Sequence, residues 1–132
     1  MKRMTIGTAL TVTLALAALA TLAAQAPAFK RTVLQQVPLS TPDREAVMAL
    51  AEFPAGSETG RHTHPGEEVG AILEGTIQLE VAGKPPVTLK AGQGFVVPPN
   101  TPHGAKNVNS GVSRLLATYI VEKGKPLRSP AK

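Results

Sequence analysis

The chain has 132 residues, which suffices for one domain and leaves no room for a second hydrophobic core. It contains no cysteine, which excludes a disulfide scaffold, a lipid-modified cysteine and a thiol nucleophile. The formal net charge is +5, but the only aromatic residues are three Phe and one Tyr, too few for the stacking that a nucleic-acid interface uses, so no nucleic-acid partner is expected.

The first 28 residues have the three parts of a secretory signal peptide. Lys2 and Arg3 give a basic start, residues 4–24 carry no charge, and two overlapping A-x-A sites follow over 24–28. We expect a signal helix over 1–28 that is cleaved after Ala28, which would place the protein in the periplasm or outside the cell. The uncharged run is about 20 residues long, enough to cross a bilayer, so an uncleaved membrane anchor is the alternative.

Beyond residue 28, short apolar runs are separated by turn residues, a pattern typical of an all-β sandwich or barrel. Twelve Gly and 12 Pro in the chain suit many tight turns. No segment there combines helical periodicity with capping signals. The predicted strands cover residues 46–53, 68–74, 76–81, 87–89, 95–97 and 115–121. The second and third of these are predicted to form a hairpin that turns at Glu74-Gly75.

All three histidines of the chain lie near predicted turns, where they can meet a carboxylate. His62 and His64 are two positions apart, so on an extended strand their imidazoles point to the same face. The chain then turns and returns with Glu67 and Glu68, and His103 follows a second turn rich in Gly and Pro. A carboxylate beside imidazoles can bind a divalent metal and leave coordination positions open. Either glutamate can be the carboxylate ligand.

These residues belong to two blocks with ordered spacing. The first consists of Gly56, five residues, His62-Thr63-His64, three residues, Glu68, six residues and Gly75. The second consists of Gly92, five residues, Pro98-Pro99-Asn100, two residues, His103, three residues and Asn107. Over about residues 40–122 the chain resembles the cupin superfamily, whose two motifs have this order and spacing.

The second block departs from the superfamily's motif at one position. The superfamily usually has Gly where this chain has Asn100. Asn adopts left-handed backbone angles more readily than most other residues, so we expect the turn to be kept. Asn107 is interpreted as a turn or hydrogen-bonding residue rather than a ligand.

The resemblance implies a double-stranded β-helix, the cupin or jelly-roll barrel, with one metal ion near its centre. The implied metal ligands are His62, His64, Glu68 and His103. Glu68 is favoured over Glu67 because it has the superfamily's spacing and because strand alternation turns Glu67 to the other face. The ligand set suits one divalent Fe, Mn, Ni, Cu or Zn ion and leaves the choice among them open.

The resemblance also sets the expected domain boundaries and partners. The barrel is expected over residues 29–122, followed by a flexible basic tail over 123–132. A cupin of this size often completes its core through a partner, so a homodimer is expected. Contact with a membrane is expected only through residues 1–28, if they are not cleaved.

A pocket beside the metal is expected on the inner face of the strand that follows Glu68. Many cupins have bulky aromatic residues at this place, whereas this chain has Gly70 and Ala71. An open space beside Gly70 is therefore predicted, and the alternative is that a neighbouring side chain fills it. The predicted pocket-lining residues are Met48, Gly70, Ile72, Phe95, Val97, Leu116 and Tyr119.

Few side chains are left over for acid–base catalysis, and the catalytic residues stay unassigned. With all three histidines on the metal, no Ser or Thr has a free His partner, which excludes a hydrolytic triad. Tyr119 and Glu52 are the only candidate helpers. We expect an exported metal-dependent enzyme of oxygenase, dioxygenase-like type that acts on a small organic molecule. The alternative is a non-catalytic cupin of the cell envelope that binds or senses a metal or a small ligand.

Overall fold

The computed structural model of the protein describes residues 27–132, which form ten β-strands. The predicted signal helix over 1–28 lies outside the described residues, apart from its last two positions. The strands are β1 (Lys30–Pro38), β2 (Arg44–Phe53), β3 (His62–Thr63), β4 (Gly66–Glu74), β5 (Thr76–Val81), β6 (Val87–Lys90), β7 (Gly94–Val97), β8 (His103–Asn107), β9 (Ser113–Glu122) and β10 (Ser129–Pro130). Between residues 27 and 132, no helix has the length and apolar character needed to cross a membrane.

The strands form two antiparallel sheets that enclose the core. The first sheet has the order β1-β2-β9-β4-β7, and the second has the order β10-β3-β8-β5-β6. This all-β arrangement agrees with the predicted double-stranded β-helix.

The longest pairing joins β2 and β9 along their whole length, from Arg44 opposite Glu122 to Phe53 opposite Ser113. Side chains alternate between the two faces of each strand, and only one face of each is fully buried. Burial of this inner face supplies most of the hydrophobic stabilisation. The buried core residues include Val47, Ala49, Ala51, Phe53, Ile72, Ile77, Leu115, Ala117, Tyr119 and Val121.

The predicted hairpin over 68–74 and 76–81 is wrong, because β4 and β5 belong to different sheets. β4 pairs with β9 and β7, whereas β5 pairs with β6 and β8. Gly75 makes the crossing possible with a φ of +77°. A Cβ at this position would lie 2.2 Å from Ser113 Oγ, so the crossing also requires a residue without a side chain.

The prediction of a flexible tail over 123–132 is also corrected. Ser129 and Pro130 pair with Thr63 and His62, and the backbone amide of Ala131 donates to the carbonyl of Arg61 at 3.1 Å. Backbone pairing of this kind leaves no trace in the composition of the segment, whose basic residues predicted a solvated end.

Asn107 is a buried hydrogen-bonding residue, as its interpretation from the sequence requires. Its side-chain amide nitrogen donates to the carbonyl of Phe53 at 2.8 Å and contacts the carbonyl of Gly111 at 2.8 Å. Its side-chain oxygen accepts from the amide of Asn109 and from the hydroxyl of Ser113, both at 2.8 Å. The side chain thereby joins the end of β2 to the turn between β8 and β9. Asn100 has a φ of +54°, so the turn of the second block is kept without Gly.

We predict that Asn107→Ala lowers the free energy of unfolding by about 3 kcal/mol, because it leaves several buried polar groups without partners. The matched control is Asn109→Ala, which removes the side chain of a partly exposed residue in the same turn and should change stability by less than about 1 kcal/mol. Urea unfolding of both variants measures the difference. Equal effects would show that Asn107 does not hold this turn.

Candidate metal centre

The four predicted metal ligands meet between the two sheets. His62 lies on β3 directly opposite His103, the first residue of β8, in the second sheet. His64 follows β3, and Glu68 enters from β4 in the first sheet. All four side chains are buried. The contact between the sheets therefore determines whether the cluster forms.

Ligand atoms of the four residues all lie within 4.8 Å of one another. The Nε2 atoms of His62 and His64 are 3.2 Å apart. Glu68 Oε2 lies 3.3 Å from His64 Nε2 and 2.9 Å from His103 Nε2. Glu67 is only partly buried, on the opposite face of β4, as strand alternation predicts. The cluster can therefore hold one metal ion.

Hydrogen bonds to backbone carbonyls determine the tautomer of every imidazole. The Nδ1 atoms of His62 and His103 lie 2.8 Å from the carbonyls of Gly60 and Thr101. His64 Nδ1 lies 2.5 Å from the carbonyl of Leu127, near the end of the chain. A carbonyl oxygen can only accept, so each Nδ1 carries the proton. In the neutral rings, every Nε2 then turns a lone pair toward the centre of the cluster.

This arrangement fits a metal ion. Two neutral rings with protonated Nδ1 atoms cannot form a hydrogen bond between their Nε2 atoms, and the carboxylate of Glu68 adds a further acceptor. Four buried acceptors that face one another need a cation at their centre. Burial lowers the pKa of His62 to about 4, although its hydrogen bond to Gly60 opposes this. Near neutral pH a proton on this ring therefore does not readily take the place of the cation. Imidazole nitrogens with a carboxylate are suitable ligands for divalent transition metals.

Glu68 remains ionised in this environment. Burial would raise the pKa of its carboxyl group, but a proton on the Nε2 of His103 or His64 would donate to it and lower the pKa to about 2, and a metal ion in place of that proton would likewise favour the ionised form. The side chain therefore contributes a full negative charge to the cluster at physiological pH.

A small cavity of about 30 Å³ lies beside the cluster. His62, Glu68 and His103 line it, together with two of the predicted pocket residues, Phe95 and Tyr119. The ring of Tyr119 lies 4.5 Å from that of His64 between centroids. Burial, followed by the charge of Glu68, raises the pKa of the Tyr119 phenol, so it keeps its proton and can donate a hydrogen bond.

The prediction that Met48 and Leu116 line the pocket is wrong. Both lie on the outer face of the first sheet, because their neighbours Val47 and Leu115 occupy the inner face. Glu52 also faces outward, and it forms an ion pair with Arg114 at 3.1 Å instead of assisting at the site. Among the other predicted lining residues, Ile72 and Val97 are buried in the core but are not lining residues of the cavity.

The open space predicted beside Gly70 is filled, as the alternative proposed. Gly70 faces inward opposite Phe95, and a Cβ at Gly70 would lie 2.5 Å from the Phe95 ring. The missing side chain of Gly70 therefore makes room for an aromatic ring from β7 rather than for a ligand.

The interpretation of the sequence missed several residues that line the cavity from the two ends of the described chain. Phe29 stacks on Phe53 with 5.3 Å between ring centroids. Arg31 of β1 and Arg128, which precedes β10, bring guanidinium groups to the same cavity. β1 has no clean alternation of apolar residues, and residues 123–132 were predicted to form a flexible tail. No local pattern therefore indicated that these segments line the cavity.

The chain is similar to known proteins in sequence and in fold. Residues 49–119, more than half of the chain, match the family Cupin_2, described as a cupin domain. Over 79 residues the chain is 34% identical to the HTH-type transcriptional regulator PuuR of Escherichia coli (strain K12), a match that covers 59% of this chain and 42% of the regulator. Over 66 residues it is 39% identical to the nitrosourea synthase of Streptomyces achromogenes subsp. streptozoticus, a match that covers 50% of this chain and 14% of the synthase.

The chain thus spans less than half the length of these curated relatives. A crystal structure of an uncharacterized conserved protein with a double-stranded β-helix domain from Klebsiella pneumoniae subsp. pneumoniae MGH 78578 matches with a TM-score of 0.65 and 18% identity. That match covers 79% of this chain and 84% of that chain, which shows a shared fold.

We predict that deleting residues 127–132 weakens zinc binding by about 10- to 100-fold, because His64 Nδ1 loses the carbonyl that orients its ring. Competition with a chromophoric chelator measures the affinity, and circular dichroism verifies that the truncated protein is folded. Deleting Lys132 alone is the control and should leave the affinity unchanged. Full zinc affinity in the folded, truncated protein would contradict the prediction.

Proposed function

Since the chain belongs to the cupin family, whose domain matches residues 49–119, we propose that it is a mononuclear metal-dependent enzyme of oxygenase type that acts on a small organic molecule. His62, His64, Glu68 and His103 would hold the ion, whose identity among Fe, Mn, Ni, Cu and Zn the ligand set leaves open. When bound, it would supply Lewis-acid or oxygen-activating chemistry.

The observation that carries this proposal is a four-ligand cluster that opens onto a cavity. Four protein ligands leave about two positions of an octahedral ion for other groups. The cavity reaches His62, Glu68 and His103, so a small molecule within it can approach the same centre. Phe53 and Phe95 give it apolar walls that limit water, and Tyr119 can donate a hydrogen bond to a bound molecule. The local similarity to nitrosourea synthase supports an enzyme.

The second candidate is a non-catalytic module that binds or senses a metal or a small ligand. The similarity to part of the regulator PuuR favours it. The absence from the chain of any histidine beyond the three in the cluster also favours it, because acid–base catalysis would have to rely on other groups. Both candidates use the same cavity, and only turnover separates them.

Export is part of the proposal, and the predicted homodimer remains a prediction. The tripartite pattern of residues 1–28 supports export. The stacking of Phe29 on Phe53 supports a boundary between residues 28 and 29, because Phe29 already packs against the core. We expect N-terminal sequencing of the protein from the cell envelope to begin at Phe29, and an intact N-terminus there would indicate an uncleaved anchor.

The metal part of the proposal is tested with two neighbouring residues of β4. We expect Glu68→Gln to weaken metal binding by at least about 10-fold, because it removes the only anionic ligand. Glu67→Gln makes the same change on the opposite face of the strand and should retain the metal. Elemental analysis of protein from its native compartment and a chelator competition measure both effects, and equal losses would contradict this ligand assignment.

The catalytic part is tested by oxygen uptake. Fe(II)-loaded protein with a verified metal content is incubated aerobically with a panel of small organic molecules, and Glu68→Gln serves as the inactive reference. We expect uptake that depends on one substrate class. Stoichiometric binding of a small molecule without uptake would favour the sensing module.

A further inference from the structure

Two guanidinium groups flank the cavity beside the candidate metal centre. Arg31 comes from β1, at the edge of the first sheet, and Arg128 comes from the segment that precedes β10, at the edge of the second sheet. Both lie outside residues 49–119, which match the cupin domain. The metal-ligand motifs therefore do not account for either arginine.

Arg128 holds a buried donor without a partner. Its Nη2 donates to the carbonyl of Thr59 at 2.6 Å, which anchors one side of the guanidinium group. Its Nε is buried and has no hydrogen-bond partner among residues 27–132. Buried polar groups nearly always have a partner, and leaving a donor of a charged group unpaired is costly. An unpaired N–H in a residue that lines a cavity points to an acceptor bound there.

Arg31 also lacks an anionic partner within the described part of the chain. It lies opposite Ala51, on the face of β1 that is turned toward the cavity. Its guanidinium carbon is 5.7 Å from the centre of the Tyr119 ring, a cation–π contact that positions the charge without neutralising it. No carboxylate from residues 27–132 forms an ion pair with Arg31 or with Arg128.

The cavity consequently has an excess of positive charge. Among residues 27–132, Glu68 is the only acidic residue that lines it, and its carboxylate faces His64 and His103 in the metal cluster. Two arginines line the same cavity as this one carboxylate, and a divalent ion in the cluster would add further positive charge. Charges interact strongly where water is excluded, so such a cavity favours an anionic occupant.

We propose that Arg31 and Arg128 form an anion site that binds the carboxylate group of a small organic acid beside the metal centre. A guanidinium group presents paired N–H donors that match the two oxygens of a carboxylate, and the free Nε of Arg128 supplies such a donor. This inference deepens the proposed function, on which it rests, by naming the class of its substrate or sensed ligand.

The test uses the Nε–H resonances of the arginines in ¹H–¹⁵N spectra of metal-free and Zn(II)-loaded protein. The probe is acetate, and the neutral isostere acetamide is the reference. We expect acetate to shift the signals of Arg31 and Arg128 saturably in both forms, and acetamide to leave them in place. Equal shifts with both probes, or none with acetate, would overturn the anion site.

Variants assign the effect to the two side chains. Arg31→Gln and Arg128→Gln should each weaken acetate binding by at least about 10-fold. Lys30→Gln, at an exposed neighbour on β1, and Arg61→Gln, at an exposed arginine, remove the same charge away from the cavity and should change binding by less than about 2-fold. Arg128→Lys keeps the charge but loses the donor pair, so it tests the site if Arg128→Gln does not fold. Acetate binding at wild-type strength in the arginine variants would contradict the proposal.

Zinc content, measured on the same samples, separates the two claims. Arginine-dependent acetate binding in a protein that takes up neither zinc nor divalent Fe, Mn, Ni or Cu would refute the metal-dependent function and leave the anion site standing. Full zinc occupancy without a response to acetate would refute the anion site alone.

Discussion

The candidate site depends on three hydrogen bonds between imidazole Nδ1 atoms and backbone carbonyls. They place every proton on the outer nitrogen, so the three inner nitrogens face one another as acceptors. Two of these carbonyls, of Gly60 and Thr101, lie two residues before their histidines, in the loops that lead into β3 and β8. The third belongs to Leu127, 63 positions beyond His64. The coordination geometry is therefore complete only when the C-terminal segment is docked on the second sheet.

The cluster could be predicted because two ordered blocks of the sequence resemble the motifs of the cupin superfamily, and strand alternation agrees with that resemblance. Alternation puts His62 and His64 on one side and turns Glu68, rather than Glu67, inward. The same rule failed to identify the outer face of β2 and β9, because both strands have apolar residues on both faces. With Met48 beside Val47 and Leu116 beside Leu115, hydrophobicity alone cannot choose the inner residue.

Pairings between distant segments were the second feature of the fold that the sequence did not predict. The residues around Gly75 have the same pattern whether the chain folds back in one sheet or crosses to the other. In the crossing, Ser113 approaches Gly75 so closely that no side chain fits, a contact that only the folded chain reveals. The docking of residues 129–131 on β3 likewise depends on backbone groups, whose pairing no side-chain pattern encodes.

The unpredicted strand faces and the unpredicted pairings have a common consequence for function. The residues that sequence reasoning identified are the ones proposed to hold the ion, and an ion with these ligands would support many reactions. The residues that it missed, Arg31 and Arg128, come from segments that close over the cavity, and they carry its unpaired charge. On the proposals made above, a ligand in this cavity would satisfy those donors and lie beside the metal ligands. The ends of the described chain therefore restrict what can bind, while the centre of the barrel determines what chemistry a bound molecule can meet.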